Sequence, residues 1–263
     1  MMSKSMVVKS TSEEKMLIET ADAHCHLDAV APDLIMSAVH NGVKTMVTNG
    51  IDVASSIRAL QISDRVNIFA SIGIDPVHAV IATKEQLEAI TEMIRNNKNS
   101  IVGIGEVGLD KGGGITKYES QKRVFSMFLD LANELNLPVS IHSRNAIEDV
   151  LSMLESKKVK KAHIHFFEGG IAHVRLIQRL GYMVSIPPVD SEKRRKVIKE
   201  LPIDNIMLES DSPAASESPI GVREAMRIIA EAKGLSMGRV AEATTANTKR
   251  FFGVVRNSGM MRV

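Results

Sequence analysis

Short runs of β-branched and apolar residues recur along the chain, separated by longer stretches whose apolar positions fall three and four residues apart. The first spacing suits strands; the second suits helices with one buried face. Strands are predicted from about Met16 into Asp22-Ala23-His24-Cys25-His26-Leu27-Asp28, and at Thr45–Thr48, Asn67–Ile74, Ile101–Glu106, Val139–Ser143, Ala162–Phe167, Tyr182–Ile186 and Asn205–Glu209. Helices are predicted at Pro32–Asn41, Asp52–Gln61, Lys84–Asn96, Tyr118–Leu135, Ala146–Glu155, Ala172–Leu180, Asp190–Leu201 and from Gly221 to about Lys233, with two shorter pieces reaching Phe252. Leu87, Ile90 and Ile94 mark the buried face of one helix, and Val124, Phe128 and Leu131 that of another. Pro32 early and Gly42 late punctuate the first helix as helix ends prefer.

Eight such runs with helices between them describe a parallel sheet with helical crossovers. The expected fold class is therefore α/β, a single (β/α)8 TIM barrel over residues 16–256, between a flexible leader (1–15) and a tail (257–263). A length of 263 residues suits one barrel as well as two small domains. The alternative, an open doubly wound sheet, normally carries a nucleotide fingerprint at its first turn, and none is present there. Gly103-Ile104-Gly105-Glu106-Val107-Gly108 does match GxGxxG, but it lies mid-chain and runs into Leu109-Asp110-Lys111-Gly112-Gly113-Gly114, which cannot open a helix. Those glycines read as packing and turn residues.

Barrel active sites form at the C-terminal ends of the strands. His24 and His26 close the first predicted strand, Glu106 the fourth, His142 stands near the end of the fifth, His165 near the end of the sixth, and Asp211 follows the eighth. Strand residues two apart share a face, so His24 and His26 project together, as do His163 and His165. Each residue has a plainer reading. Glu106 could tie a glycine-rich turn, His142 could be a structural donor, and Asp211-Ser212-Pro213 could be a turn. Convergence of liganding side chains on five strand ends favours a metal site. Two divalent ions suit the donors: a carboxylate bridges them, two histidines and a second carboxylate complete one site, and two more histidines complete the other. Such a pair polarises a phosphoryl or carbonyl oxygen and yields hydroxide from water at neutral pH. Asp211 is then placed to accept the water's proton, making Asp211 and Glu106 the catalytic candidates. Histidine-rich ligation favours zinc, manganese or iron, and substrate phosphate would admit magnesium.

Composition narrows the partners. With 33 basic and 31 acidic residues the net charge is +2, so no global field draws a polyanion. Aromatic content is 3% without tryptophan, which argues against broad base-stacking platforms. Lys193-Arg194-Arg195-Lys196 reads as a solvated helix face, with Val197 and Ile198 turned inward. His40 and His173 fall on helices, at the surface or core edge. The one cysteine, Cys25, precludes an internal disulfide, fits a reducing compartment and faces away from the two histidines beside it. No run reaches the apolar length of a membrane span, and residues 1–15 lack a signal peptide's apolar core, so a cytoplasmic location is expected.

The motifs together resemble the TatD-type metal-dependent deoxyribonucleases of the amidohydrolase-like barrel superfamily. Asp22–Asp28 resembles that family's opening motif and Gly105–Asp110 its central one. Gln121–Phe128, Leu137–Arg144, His165-Phe166-Phe167-Glu168-Gly169, Glu209-Ser210-Asp211-Ser212-Pro213 and Thr245–Gly253 follow in the family's order. The resemblance implies one ion held by His24, His26, Glu106 and Asp211, and a second held by Glu106, His142 and His165. It gives His165, directly before Phe-Phe-Glu-Gly, the ligand place, and leaves His163 as a supporting or packing residue. It further implies a DNase of exonuclease type acting on DNA or a small phosphodiester. Neither a membrane nor a protein partner is implied, and oligomeric state is left open.

Two loops depart from the family pattern. Where the family commonly has His-Pro-His after the third strand, this chain reads Asp75-Pro76-Val77-His78, with His78 the remaining candidate for a phosphate contact. Where the family carries an arginine after Asp211, the segment Ala214–Gly221 has none and adds Glu217. Arg144 is the second candidate phosphate contact; its plainer reading is an ion pair with Asp149 or Glu106. A lactone, amide, deaminase-type heterocycle, phosphotriester or small phosphoester is the alternative substrate, and a barrel that keeps metal without turnover is the non-enzymatic alternative. Barrels of the phosphotriesterase kind bridge their metals with a modified lysine on the fourth strand, but Glu106 ends that strand here and Lys111 lies past the turn.

Overall fold

In the computed structural model, which describes residues 18–63, 67–112 and 117–254, eight strands pair in chain order and every neighbouring pair is parallel. They are β1 (Thr20–Cys25), β2 (Val43–Asn49), β3 (Ile68–Ile72), β4 (Ile101–Gly108), β5 (Val139–His142), β6 (Ala162–Ile164), β7 (Met183–Ile186) and β8 (Ile206–Leu208). The helices are α1 (Pro32–His40), α2 (Val53–Ser63), α3 (Pro76–Ala79), α4 (Lys84–Asn96), α5 (Tyr118–Leu135), α6 (Ile147–Ser156), α7 (Ile171–Leu180), α8 (Glu192–Glu200), α9 (Val222–Lys233) and α10 (Met237–Phe252). The expected leader and tail lie outside the described residues.

The ring closes between its last and first strands. The Asp211 N–H donates to the His24 carbonyl at 3.0 Å and the His26 N–H to the Ser212 carbonyl at 2.8 Å. Buried Asp22 reinforces this seam by accepting from the Ser210 N–H at 3.0 Å. Burial pushes its carboxyl up to about 8 even though the Ser210 hydrogen bonds oppose the shift. The result is a nearly closed (β/α)8 barrel, the expected fold class.

Most of the core lies between the strands and the helical shell, where Ile104, Val139 and Ile141 belong to one apolar cluster with Phe125, Phe128 and Leu129 of α5. Burying each such phenylalanine contributes roughly 1.5–3 kcal/mol. A smaller cluster gathers Ala23, Val47, Met183, Met207 and Phe252, with Phe69, Val102 and Phe251 against it. Residues from six strands around a ring meet only near its axis, so this cluster plugs the barrel interior.

Several boundaries differ from those read in the sequence. Strand β4 runs two residues beyond Glu106, whereas β6 stops at Ile164 and leaves His165 just past its end. The two pieces predicted before Phe252 are one 16-residue helix, α10. Its Thr-Thr-Ala-Asn-Thr stretch is polar, yet Thr244, Thr245, Asn247 and Thr248 are buried, and all of them but Thr245 find hydrogen-bond partners among the described residues. Thr244 Oγ1 donates to the Val240 carbonyl at 2.8 Å, Thr248 Oγ1 to the Thr244 carbonyl at 3.0 Å, and Asn247 Nδ2 to the carbonyls of Ile203 and Ile206 at 2.8 Å. The short α3 follows an Asx cap: the Asp75 carboxylate accepts the His78 N–H at 2.7 Å.

Candidate metal centre

All six expected ligands converge at the C-terminal mouth of the barrel. His24 lies within β1 and His26 one residue past it, where the Leu27 N–H donates to Thr48 Oγ1 at 3.0 Å and turns the chain. Glu106 is delivered by close backbone approach on both sides of β4. A Cβ on Gly105 would lie 2.7 Å from Ser140 of β5, and one on Gly73 would lie 2.8 Å from the Glu106 carbonyl, so only glycine fits either position. His142 is the last residue of β5. Asp211 has φ of 45°, and Phe166, directly after His165, has φ of 46°. Residues other than glycine avoid this left-handed region unless their surroundings hold them there. The Asp211 N–H is held by the His24 carbonyl, and the Phe166 N–H by Glu209 Oε1 at 2.7 Å.

Glu106 stands between two groups of donors. Its Oε2 lies 3.3 Å from both His24 Nε2 and His26 Nε2, which are themselves 3.3 Å apart. Asp211 Oδ1 completes this group at 3.9 Å from His24 Nε2 and 3.6 Å from His26 Nε2. The other oxygen, Oε1, lies 2.9 Å from His142 Nδ1 and 3.2 Å from His165 Nε2, and those two nitrogens are 3.2 Å apart. Donors about 2.1 Å from a tetrahedral zinc stand about 3.4 Å from one another, so both groups have the spacing that a divalent transition ion requires. The groups also touch directly: the His24 and His165 rings stack at 3.8 Å, and His24, His165 and Asp211 form a further set of suitable donors.

The rings are held from behind. His26 Nδ1 donates to the Asn49 carbonyl at 2.9 Å, and His142 Nε2 donates to Asp110 Oδ2 at 3.2 Å, which leaves the opposite nitrogen of each facing the site. His165 Nδ1 is buried with no hydrogen-bond partner among the described residues; Glu209 Oε2 is 3.7 Å away. Protonation follows this geometry. Burial disfavours the cationic form of His26, but Asp211 and Glu106 outweigh it and raise the group to about 9. His142 likewise rises to about 9 against burial, through Asp110 and Glu106. Burial and the neighbouring His165 lower His24. Burial opposes the ionised form of Glu106, yet the surrounding histidines hold it well below the usual carboxylate range. Asp211 is lowered the same way, chiefly by His26. Ionised carboxylates that hold protons on nearby imidazoles are the donor set in which a divalent cation takes the protons' place.

The TatD related DNase family profile matches residues 21–253. The chain belongs to that family. It is 32% identical over 262 residues to the human deoxyribonuclease TATDN3, spanning 90% of this chain and 95% of the relative. It is also 32% identical over 253 residues to YabD of Bacillus subtilis, described as an uncharacterized metal-dependent hydrolase, spanning 89% and 98%. The crystal structure of YjjV, a TatD homolog from Escherichia coli K12, superposes with a TM-score of 0.83 at 23% identity over 91% of this chain and all of that one. Family membership makes the chain a metal-dependent hydrolase of ester bonds, as expected from its sequence.

Beside these candidate ligands opens a cavity of about 350 Å³, lined by His142, His165, Asp211, Arg144 and Phe166 among others. Arg144 pairs with neither Asp149 nor Glu106: its Nε donates to Asp110 Oδ1 at 3.1 Å, and the side chain is half exposed at the cavity wall. His78 stands outside this lining, with Nδ1 2.7 Å from Asp75 Oδ1. Lys111 is bound to Asp149 at 2.9 Å, away from the ligands. Of the remaining histidines, His40 is exposed on α1, and His173 on α7 lies 3.2 Å from Glu148.

Sequence reasoning gave no role to Asp110, Glu209 or Asn49. Asp110 and Glu209 stand inside the motifs already singled out, which was the available signal. Nothing in the sequence marks Asn49, which acts through its backbone carbonyl. His142 and Arg144 together hold Asp110 ionised, lowered to about 2.

Proposed function

We propose that this chain hydrolyses DNA phosphodiester bonds from a strand end, using two divalent ions that share Glu106. The observation that carries this reading is the division of the Glu106 carboxylate, one oxygen toward His24 and His26 and the other toward His142 and His165. When bound, such ions polarise the phosphoryl group and lower the pKa of a water enough to make a nucleophile near neutral pH. Histidine-rich donors favour zinc, manganese or iron, with magnesium supported when phosphate oxygens join the set.

The chain's own residues do the rest. Asp211, ionised and at the cavity wall, accepts the proton released as the water attacks. Arg144 offers its guanidinium to a non-bridging phosphate oxygen, while Asp110 fixes the base of that side chain. The cavity that opens beside Arg144 and Asp211 gives a phosphodiester access to the site. The relatives' deoxyribonuclease name supports DNA as the substrate. We further infer one barrel domain over residues 16–256. A cytoplasmic location is in keeping with Cys25, a buried free thiol, and no helix among the described residues is long and apolar enough to cross a membrane.

The test is hydrolysis by metal-reconstituted protein of single-stranded DNA labelled at the 3′ or the 5′ end, beside bis-p-nitrophenyl phosphate, with Glu106→Ala as control. Metal-dependent shortening from one end, lost in the variant, is expected. Cleavage of the small diester alone would move the substrate away from DNA, and no turnover with metal bound would overturn the enzymatic reading.

A further inference from the structure

Beneath the ligands runs a chain of hydrogen bonds that the reading above does not use. His24 Nδ1 lies 3.2 Å from Ser140 Oγ, Ser140 Oγ 3.3 Å from His163 Nδ1, His163 Nε2 2.7 Å from Ser185 Oγ, and Ser185 Oγ 2.7 Å from Glu209 Oε2. All five residues are fully buried. The other Glu209 oxygen accepts the Phe166 N–H. The edges of Phe251 and Phe252 from α10 face the His163 ring, with centroids at 6.1 and 5.9 Å, and offer no competing partner.

The carboxylate end sets the direction of every bond. A carboxylate accepts only, so the Ser185 hydroxyl donates to Glu209. Its oxygen is then free to accept from His163, which places the His163 proton on Nε2 and leaves Nδ1 as an acceptor. The Ser140 hydroxyl donates to that Nδ1, and its oxygen in turn accepts the His24 Nδ1–H. His24 is left with its Nε2 lone pair facing Glu106 and His26. Reversing the chain would leave the Ser185 and Glu209 oxygens 2.7 Å apart with no proton between them.

We infer that His163 is a positioning residue: with Ser140, Ser185 and Glu209 it fixes the proton of His24 on Nδ1 and so presents Nε2 as a ready ligand. This rests on the metal-site reading. Without the relay, His24 is free to place its proton on Nε2 and accept from Ser140, which removes the lone pair from the site. Aligned hydrogen bonds ending on a carboxylate also raise the basicity of the ring at the far end.

The test uses the full-length protein, zinc-loaded and metal-free. Long-range 1H–15N spectra of the imidazoles are expected to show His163 protonated at Nε2 and His24 at Nδ1. Zinc affinity, read by competition with a chromophoric chelator, is expected to fall about 10–100-fold in His163→Val. In His163→Gln, whose amide supplies both an acceptor and a donor, most of that loss is expected to be recovered. Should His163→Val fail to fold, Ser140→Ala interrupts the same chain and is expected to weaken zinc similarly. A His163 proton on Nδ1 would overturn the inference. So would a folded His163→Val or Ser140→Ala protein with unchanged zinc affinity, or a glutamine variant no better than valine. Failure of the wild-type protein to take up zinc would instead overturn the metal reading, and the imidazole spectra of the metal-free sample would still decide the polarity of the chain.

Discussion

The two groups of donors on either side of Glu106 are supported differently. On the first side His24 is wholly buried, its rear nitrogen bound to a serine, and the rear nitrogen of His26 meets a backbone carbonyl. On the second, His142 is 24% exposed beside the cavity, and a full carboxylate, Asp110, stands behind it and also holds Arg144. Neutral partners back the histidines of the first group, whose Asp211 lines the same cavity as His142 and His165; the second group is backed by a carboxylate that also holds Arg144 at the cavity wall. On the proposed two-ion reading, the carboxylate-backed group is the one linked through Asp110 to Arg144, and so to a phosphate.

Removing the shared group abolishes the distinction. Glu106→Ala takes a donor from both halves and is expected to lower turnover by more than about a thousandfold, above the loss of a single transition-state contact, with metal content falling at both positions. Asp211→Asn keeps the shape but not the basicity; turnover on the small diester is expected to drop by about 10²–10⁴-fold, with a smaller loss of metal. Asp110→Asn separates the halves most cleanly. Calorimetric zinc titration is expected to show one affinity weakened about 10–100-fold and the other unchanged.

Acidity acts on both groups: burial opposes the cationic form of His165, but Glu106 and Glu209 raise it well above the usual imidazole range beside His142, and His26 is raised in the first group. His26 and His142 are both raised to about 9, so metal must displace their protons at neutral pH. Zinc affinity is expected to climb with pH through about 9 as these imidazoles lose their protons, with proton release measurable by calorimetry in buffers of different ionisation enthalpy. In chelator-treated protein the sign for stability is opposite. Groups whose folded pKa is raised stabilise fully below the unfolded value near 6.5, and that contribution is lost as pH rises through about 9. The smallest effect is expected from Arg144→Ala. Loss of a charge-assisted contact worth about 1.5–3 kcal/mol should raise KM for DNA at least about tenfold, with little change in kcat.

The convergence of these side chains was legible because strand alternation and the strand-end rule act on sequence-local information: His24 and His26 two apart, Glu106 at the close of an apolar run, Asp211 just after another. The barrel was legible for the same reason. What stayed hidden depends on neighbours in space. The two pieces read before Phe252 are the single helix α10, whose Asn247 side chain reaches the carbonyls of Ile203 and Ile206. Asp110 could not be placed behind His142 from the chain alone, since the residues are 32 apart. Arg144 was read as a phosphate contact or, more plainly, as the partner of Asp149 or Glu106, and it pairs with Asp110 instead, because the turn after β4 carries that residue to it. His163 was read only as a supporting or packing residue, because its surroundings are contributed by β5, β7, the segment after β8, and α10.

The most direct test is diffraction from zinc-soaked crystals of the full chain, recorded above and below the zinc absorption edge. Two anomalous peaks are expected on opposite sides of the Glu106 carboxylate, one among His24, His26 and Asp211 and one between His142 and His165. A single peak at saturating zinc, or peaks that leave Glu106 uncoordinated, would contradict a shared two-metal centre.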